Sequence, residues 1–192
     1  MQFIDLAEQT RLFGQVALTL ESLRADVEQV HAGEISKPVR ELAPLAVRAQ
    51  ELATSCTQQL ATLSTSQYAA MHNGHENLAE VAEVCAQVSL AAAMCTLAIH
   101  TRTEVLLYAD ADETPQASRR VLTDATERMD AAAAAYRGLA QRLSRRLAST
   151  AAQRQDQRLI DRALAGPGIT TTASTAVAPG PPAPVPAPGR TR

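Results

Sequence analysis

Aromatic residues are scarce in this chain: it has no tryptophan, two phenylalanines and three tyrosines. None is interleaved with the arginines near the C-terminus, so nothing there offers bases a stacking platform. Lysine occurs once, at Lys37, against seventeen arginines. That skew, with abundant alanine, is what a GC-rich genome imposes, and it points to a high-GC bacterium such as an actinomycete. Arginine is then the default cation, and its use at a given position says little about phosphate recognition. Cysteine is limited to Cys56, Cys85 and Cys95, an odd number and all inside predicted helices. Cys85 and Cys95 are separated by roughly 15 Å of helical rise, too far for a disulfide. The three read as small buried hydrophobes in a reducing compartment, and a cytoplasmic protein is expected. There is no Gly-rich phosphate loop, no nucleophile elbow and no paired inward carboxylate constellation, which argues against an enzyme and against a bound cofactor.

What the chain does have is the run VCAQVSLAAAMCTLAIHT, Val84 to Thr101, without a charge. Good helix formers dominate it and apolar residues occur on every side, the pattern of a central helix covered all round by others. A membrane span is not expected, because a span takes about 20 predominantly apolar residues and Gln87, Ser89, Thr96 and His100 interrupt the run. The start, MQFIDLAEQT, carries Asp5 and no basic stretch before an apolar one, so no Sec signal peptide is expected.

Flanking segments supply the covering helices. Leu6, Phe13, Leu20 and Val27 fall seven apart, with Val16, Leu23 and Val30 as a second seam, and predict a first helix from about Ile4 to His31. Gly33 ends it, where a residue free to take positive φ is favoured. Ser36 is a candidate N-cap for the second helix and Pro38 lies in its first turn. Pro44 either kinks these first turns or delays the true start. Leu45, Ala49, Leu52, Cys56, Leu60 and Leu63 carry a buried stripe to about Met71. Asn73-Gly74 then marks a turn, making the second and third helices an antiparallel hairpin. The third runs from about Glu76 to Ala109, and Thr114-Pro115 caps a fourth carrying Leu122, Met129, Tyr136 and Leu143. Alanines 131 to 135 allow that helix a close approach to a neighbour.

The resulting expectation is an all-α antiparallel four-helix bundle over residues 1–147. The fourth helix extends as an Arg-rich projection over 148–165, followed by a disordered Pro/Ala/Thr-rich tail over 166–192 holding seven of the ten prolines. The near-zero net charge hides an asymmetry: Met1 to Tyr136 sums to −9 and Arg137 to Arg192 to +7. Long heptad-like seams and this polarity favour a protein partner or self-association, and no small-molecule substrate is evident.

Several side-chain groups are weighed as sites. Glu28 and His31 form a Glu-x-x-His pair, half of a di-metal signature, but no second pair exists and Glu28 falls on the solvent side of its heptad. His72, His75 and Glu76 surround the Asn-Gly turn without a fourth metal ligand nearby. Neither predicts a metal. Arg142, Arg145, Arg146, Arg154, Arg158 and Arg162 make a basic helix end, the last three on one face, as a candidate contact for nucleic acid or a partner. In the tail, Pro179 to Pro182 and Pro181 to Pro184 have the spacing that docks on aromatic grooves.

Tyr108 followed by Asp112 just past a helical hairpin resembles the Tyr-x-x-x-Asp/Glu export signal of type VII secretion substrates. The family's Trp-x-Gly turn is absent, with His72-Asn73-Gly74 in its place. The resemblance implies an exported helical protein, an alternative to the interaction protein and to the nucleic-acid-associated protein.

Overall fold

The computed structural model describes residues 1–108 and 116–165, and among these it contains only helices, turns and one isolated bridge. Four long antiparallel helices form a ring. Helix α1 (Leu6–Ala32) packs on α4 (Gln116–Ala148) and less extensively on α2 (Pro38–Ser64); α3 (Gly74–Tyr108) fits between α2 and α4. Cross-helix pairs fix antiparallel directions: Asp26 with Arg48 and Gln9 with Gln59 for α1–α2, Glu21 with Arg137 and Arg24 with Asp130 for α1–α4, Glu80 with Arg142 and Gln87 with Arg128 for α3–α4.

The start of α1 is set by Asp5, whose carboxylate accepts hydrogen bonds from the Ala7 and Glu8 amides at 2.9 and 3.3 Å. Phe13, Val16, Leu20, Leu23 and Val27 are buried at the expected spacing. Gly33 does end α1, but in extended conformation, φ −91°, instead of the left-handed one. The chain must turn sharply to bury Ile35, which is fully enclosed. Its carbonyl accepts from Arg102 Nε at 2.7 Å, and Arg119 donates to the His31 carbonyl at 3.2 Å, so two arginines pin this loop to α3 and α4. The N-cap of α2 is Lys37, not Ser36, and no side chain caps it. Glu41 reaches back to the Lys37 amide at 3.2 Å and satisfies that donor instead. Helix α2 continues through Pro44, which is exposed, at the loss of the one ladder bond its missing N–H would have made.

Helix α2 stops at Ser64, before the predicted Met71. Residues 2–4 explain why: Gln2 pairs with Thr65 and Gln67 through its backbone, and the Gln67 amide donates to Ile4 O and accepts from Ile4 N. A 3₁₀ turn, Gln67–Ala70, follows, capped by Ser66. Asn73 takes the left-handed conformation, φ 59°, and Gly74 opens α3. A Cβ at Gly74 would sit 2.4 Å from the Tyr68 carbonyl oxygen, so the turn closes only with glycine there.

The largest departures concern the third and fourth helices. Helix α3 is not buried all round: Val81, Val84, Cys85, Val88, Ala91, Ala92, Cys95 and Ala98 are enclosed, whereas Leu90 and Leu97 are each 46 % exposed. A four-helix ring covers only the inner arc of each member, so an apolar residue on the outer arc stays in solvent. The expected extension of the fourth helix is a separate helix. Ser149 breaks the chain, accepts a hydrogen bond from the Ala152 amide and starts α5 (Thr150–Leu164), which folds back on the 3₁₀ turn and the end of α4. The tail 166–192, with its Pro-x-x-Pro spacings, and the Thr114-Pro115 cap lie outside the described residues.

Candidate partner-binding surfaces

Helix α3 carries the surface that most needs explaining. Ala82, Ala86, Leu90, Ala93 and Leu97 recur at three- and four-residue steps along its outer arc, and all are exposed. From Ala86 to Leu97 the stripe spans only about 60° of the helix. Glu83 and His100 close it at its two ends, both exposed, with His100 Nε2 3.8 Å from Glu104. Beside the stripe, α2 and α3 frame an open groove of about 610 Å³ in which the apolar Ala43, Ala46, Val47 and Ile99 lie among polar residues that include Glu51 and Gln58. Val47 is 55 % exposed there. Gly74–Leu107 also meets the length and hydropathy required to cross a membrane, as the one such helix among the described residues. Its inner arc packs in the bundle and it buries the Arg102 side chain completely.

The six arginines predicted as a contact do not form one surface. Arg142 pairs with Glu80 across α3 and α4. Arg146 forms a two-pronged pair with Asp156, Nε to Oδ2 at 2.6 Å and Nη2 to Oδ1 at 2.5 Å. Asp156 is 6 % exposed and its Oδ1 also accepts from the His72 backbone amide at 3.0 Å, so this carboxylate latches α5 onto both α4 and the Asn73 turn. Only Arg145 on α4 and Arg154, Arg158 and Arg162 on α5 stand free in solvent. The last three face away from Asp156 and Ile160, the buried side of α5.

A second groove, about 630 Å³, runs between α3 and α4 over a floor of Val84, Ala131, Ala132 and Ala135. Glu80, Glu83, Asp124 and Glu127 border it, and Arg128 crosses it to Gln87 Oε1 at 2.6 Å.

The most chemically distinctive interior feature joins Cys56, Cys85 and Tyr136. Cys85 Sγ lies 3.7 Å from the Tyr136 hydroxyl, and the Tyr136 ring tilts against Phe13 at 5.8 Å. The hydrogen bond with Cys56 holds the Cys85 thiol below its ordinary value against the cost of burial, while the same bond and then burial push Cys56 up. Burial, ahead of the neighbouring thiols, pushes Tyr136 up. All three residues are at most 5 % exposed, so the cluster has the polarity of a reactive site without a surface on which a substrate could meet it. The heptad seams contained this meeting point, but the juxtaposition of residues 56, 85 and 136 requires the register of three helices. Arg102 is likewise not legible in the sequence: its charge sets it apart from the core residues, yet it is fully buried on the Ile35 carbonyl.

Glu28 is exposed and pairs with Arg24 at 2.7 Å; His31 Nε2 lies 3.4 Å from the Thr123 hydroxyl. His72 contacts Gln155 and not His75. Among the described residues, no three His, Cys, Asp or Glu side chains converge as metal ligands. Asp112, the acidic half of the export-signal resemblance, lies outside the described residues. No family model, curated protein or solved structure matches the chain.

Proposed function

We propose that this chain is a non-catalytic helical interaction or scaffold protein of the cytoplasm. Its bundle binds a protein partner, or another copy of itself, through the outer arc of α3, and residues 166–192 tether or space. The observation that carries this reading is the uncharged stripe with Leu90 and Leu97 open to solvent. Removing apolar surface from water contributes roughly 25 cal/mol per Å², and no charge between Val84 and Thr101 would be stranded by doing so. The chemistry-bearing thiols are sealed inside, which suits a binding role better than a catalytic one.

Affinity purification from the native host tests it. A specific protein should be recovered, retained when 166–192 is deleted and lost in Leu90→Glu. Recovery of nothing, together with turnover in a small-molecule screen, would show the protein to be an enzyme.

A second reading, nucleic-acid association, is favoured by one observation: Arg154, Arg158 and Arg162 line the outward face of α5. Each phosphate contact releases counterions, so bound nucleic acid would leave as salt rises from about 50 to 200 mM. A clean absorbance ratio and no retention on heparin would count against it.

A further inference from the structure

We infer that the occupant of the α3 stripe is α3 of a second copy, packed antiparallel about a twofold axis level with the midpoint between Ala91 and Ala92. The inference rests on the interaction reading above and names its partner surface.

The support is self-complementarity. About that axis Leu90 of one copy faces Ala93 of the other, and Leu97 faces Ala86. Both leucines of the stripe therefore meet an alanine, the large-against-small pairing that lets two helices approach within about 8 Å. At each end, Glu83 of one copy meets His100 of the other, a carboxylate opposite an imidazole N–H donor. All six residues are exposed: Glu83, Ala86, Ala93 and His100 on the outer arc, Leu90 and Leu97 each 46 % open. Reversing the helix direction is what produces the match. In a parallel pair the leucines would face leucines and Glu83 would face Glu83, so the charges at the stripe's end would repel. The arrangement is isologous, with the same patch used twice, and so closes at two copies without propagating into a filament. Ala43, Ala46, Val47 and Ile99 of the α2–α3 groove add apolar surface beside the stripe, with Glu51 and Gln58 among them as polar groups.

The test uses the full chain and two charge substitutions that are neighbours only across the interface. Ala86 and Leu97 of one chain are about 16 Å apart along the helix, too far to pair with each other. Sedimentation equilibrium should show a monomer–dimer equilibrium for the unaltered chain. A86K alone and L97E alone should each weaken it by about a hundredfold, since either charge would be buried unpaired. The double variant A86K/L97E, in which each introduced cation faces an introduced anion of the other copy, should recover most of the loss. Circular dichroism of every variant, expected to be unchanged at these solvent-facing positions, separates a lost dimer from a lost fold. A monomer at all concentrations up to roughly 1 mM would overturn the inference. So would a dimer indifferent to either single substitution, or one that the double variant fails to restore. If the purified chain is monomeric and L97E instead abolishes capture of a different host protein, the stripe belongs to that protein; this inference falls and the wider interaction reading stands.

Discussion

Helices α3 and α5 each present a face to solvent, and the two are held in opposite ways. Eight apolar side chains from Val81 to Ala98 anchor α3 in the ring, and what it turns outward is apolar as well. Helix α5 buries Ile160 and the Asp156 carboxylate, and turns outward Arg154, Arg158 and Arg162. The contrast teaches that the character of an outward face is independent of how firmly its helix is held. The strongly embedded helix is the one with apolar surface to spare, while the charged helix rests on the Asp156 latch and one isoleucine.

Adjacent alanines break the comparison open most sharply. Ala92 is fully buried and Ala93, one residue on, is exposed. Ala92→Glu is expected to cost about 3 to 5 kcal/mol, by burying an unpaired charge, whereas Ala93→Glu should leave the stability of the single chain within about 0.5 kcal/mol. Urea denaturation at low protein concentration measures both, and equal costs would mean that α3 has no outward arc.

Alkaline pH addresses the apolar interior. Burial raises Cys95 from 9.0 to about 11 and Tyr68 from 10.0 to about 12, the latter opposed by Arg142 and reinforced by Glu80. Each group is neutral when folded and ionises more readily when unfolded. Their contribution is fully present below pH 9 for Cys95 and below pH 10 for Tyr68, and disappears as pH rises through 11 and 12 respectively. The loss should be on the order of 2 to 3 kcal/mol for each. Cys95→Ala should shrink the loss beginning near pH 9, to which the buried Cys56 thiol also contributes; an unchanged pH profile in that variant would exclude Cys95 as a source.

The latch of α5 is expected to be weaker and local. Asp156→Ala strands the His72 amide and frees Arg146, at about 1 to 3 kcal/mol, and hydrogen exchange should accelerate over 150–164 while 81–98 is unaffected. Uniform acceleration would mean that α5 is integral to the ring. Ser149→Ala, which removes only the cap, should cost about 1 kcal/mol with the same regional pattern.

Much of this architecture is legible in the sequence because it is local or periodic. The seams through Phe13, Leu20 and Val27, or Leu122, Met129 and Tyr136, declare helices and their inner arcs. Asn73-Gly74 declares its turn. The break at Ser149 does not, because Ala148-Ser149-Thr150 contains neither glycine nor proline, and the reversal depends on Asp156 finding Arg146 and His72 across the fold. The end of α2 depends similarly on Gln2 and Gln67. The outer arc of α3 is not legible for a different reason: composition reports how apolar a helix is, and only the number of neighbours around it decides how much of that is covered. Of the six arginines put forward as a site, the sequence could align Arg154, Arg158 and Arg162, but not reveal that Arg142 and Arg146 are already engaged.

The closure of the ring by α1 against α4 bears on the order in which the polypeptide is made. The main partner of α1 is the helix Gln116–Ala148, nearly a hundred residues downstream. At ribosomal rates of about 5 to 20 residues per second, Phe13, Leu20 and Val27 await that helix on the order of 5 to 20 s after α1 itself has emerged. During this interval the nascent chain displays an apolar ridge that the finished molecule conceals, and the α2–α3 hairpin, whose partners are adjacent in the chain, can assemble first. A chaperone that recognises amphipathic segments would meet this protein at its N-terminal helix and leave when the fourth helix is released.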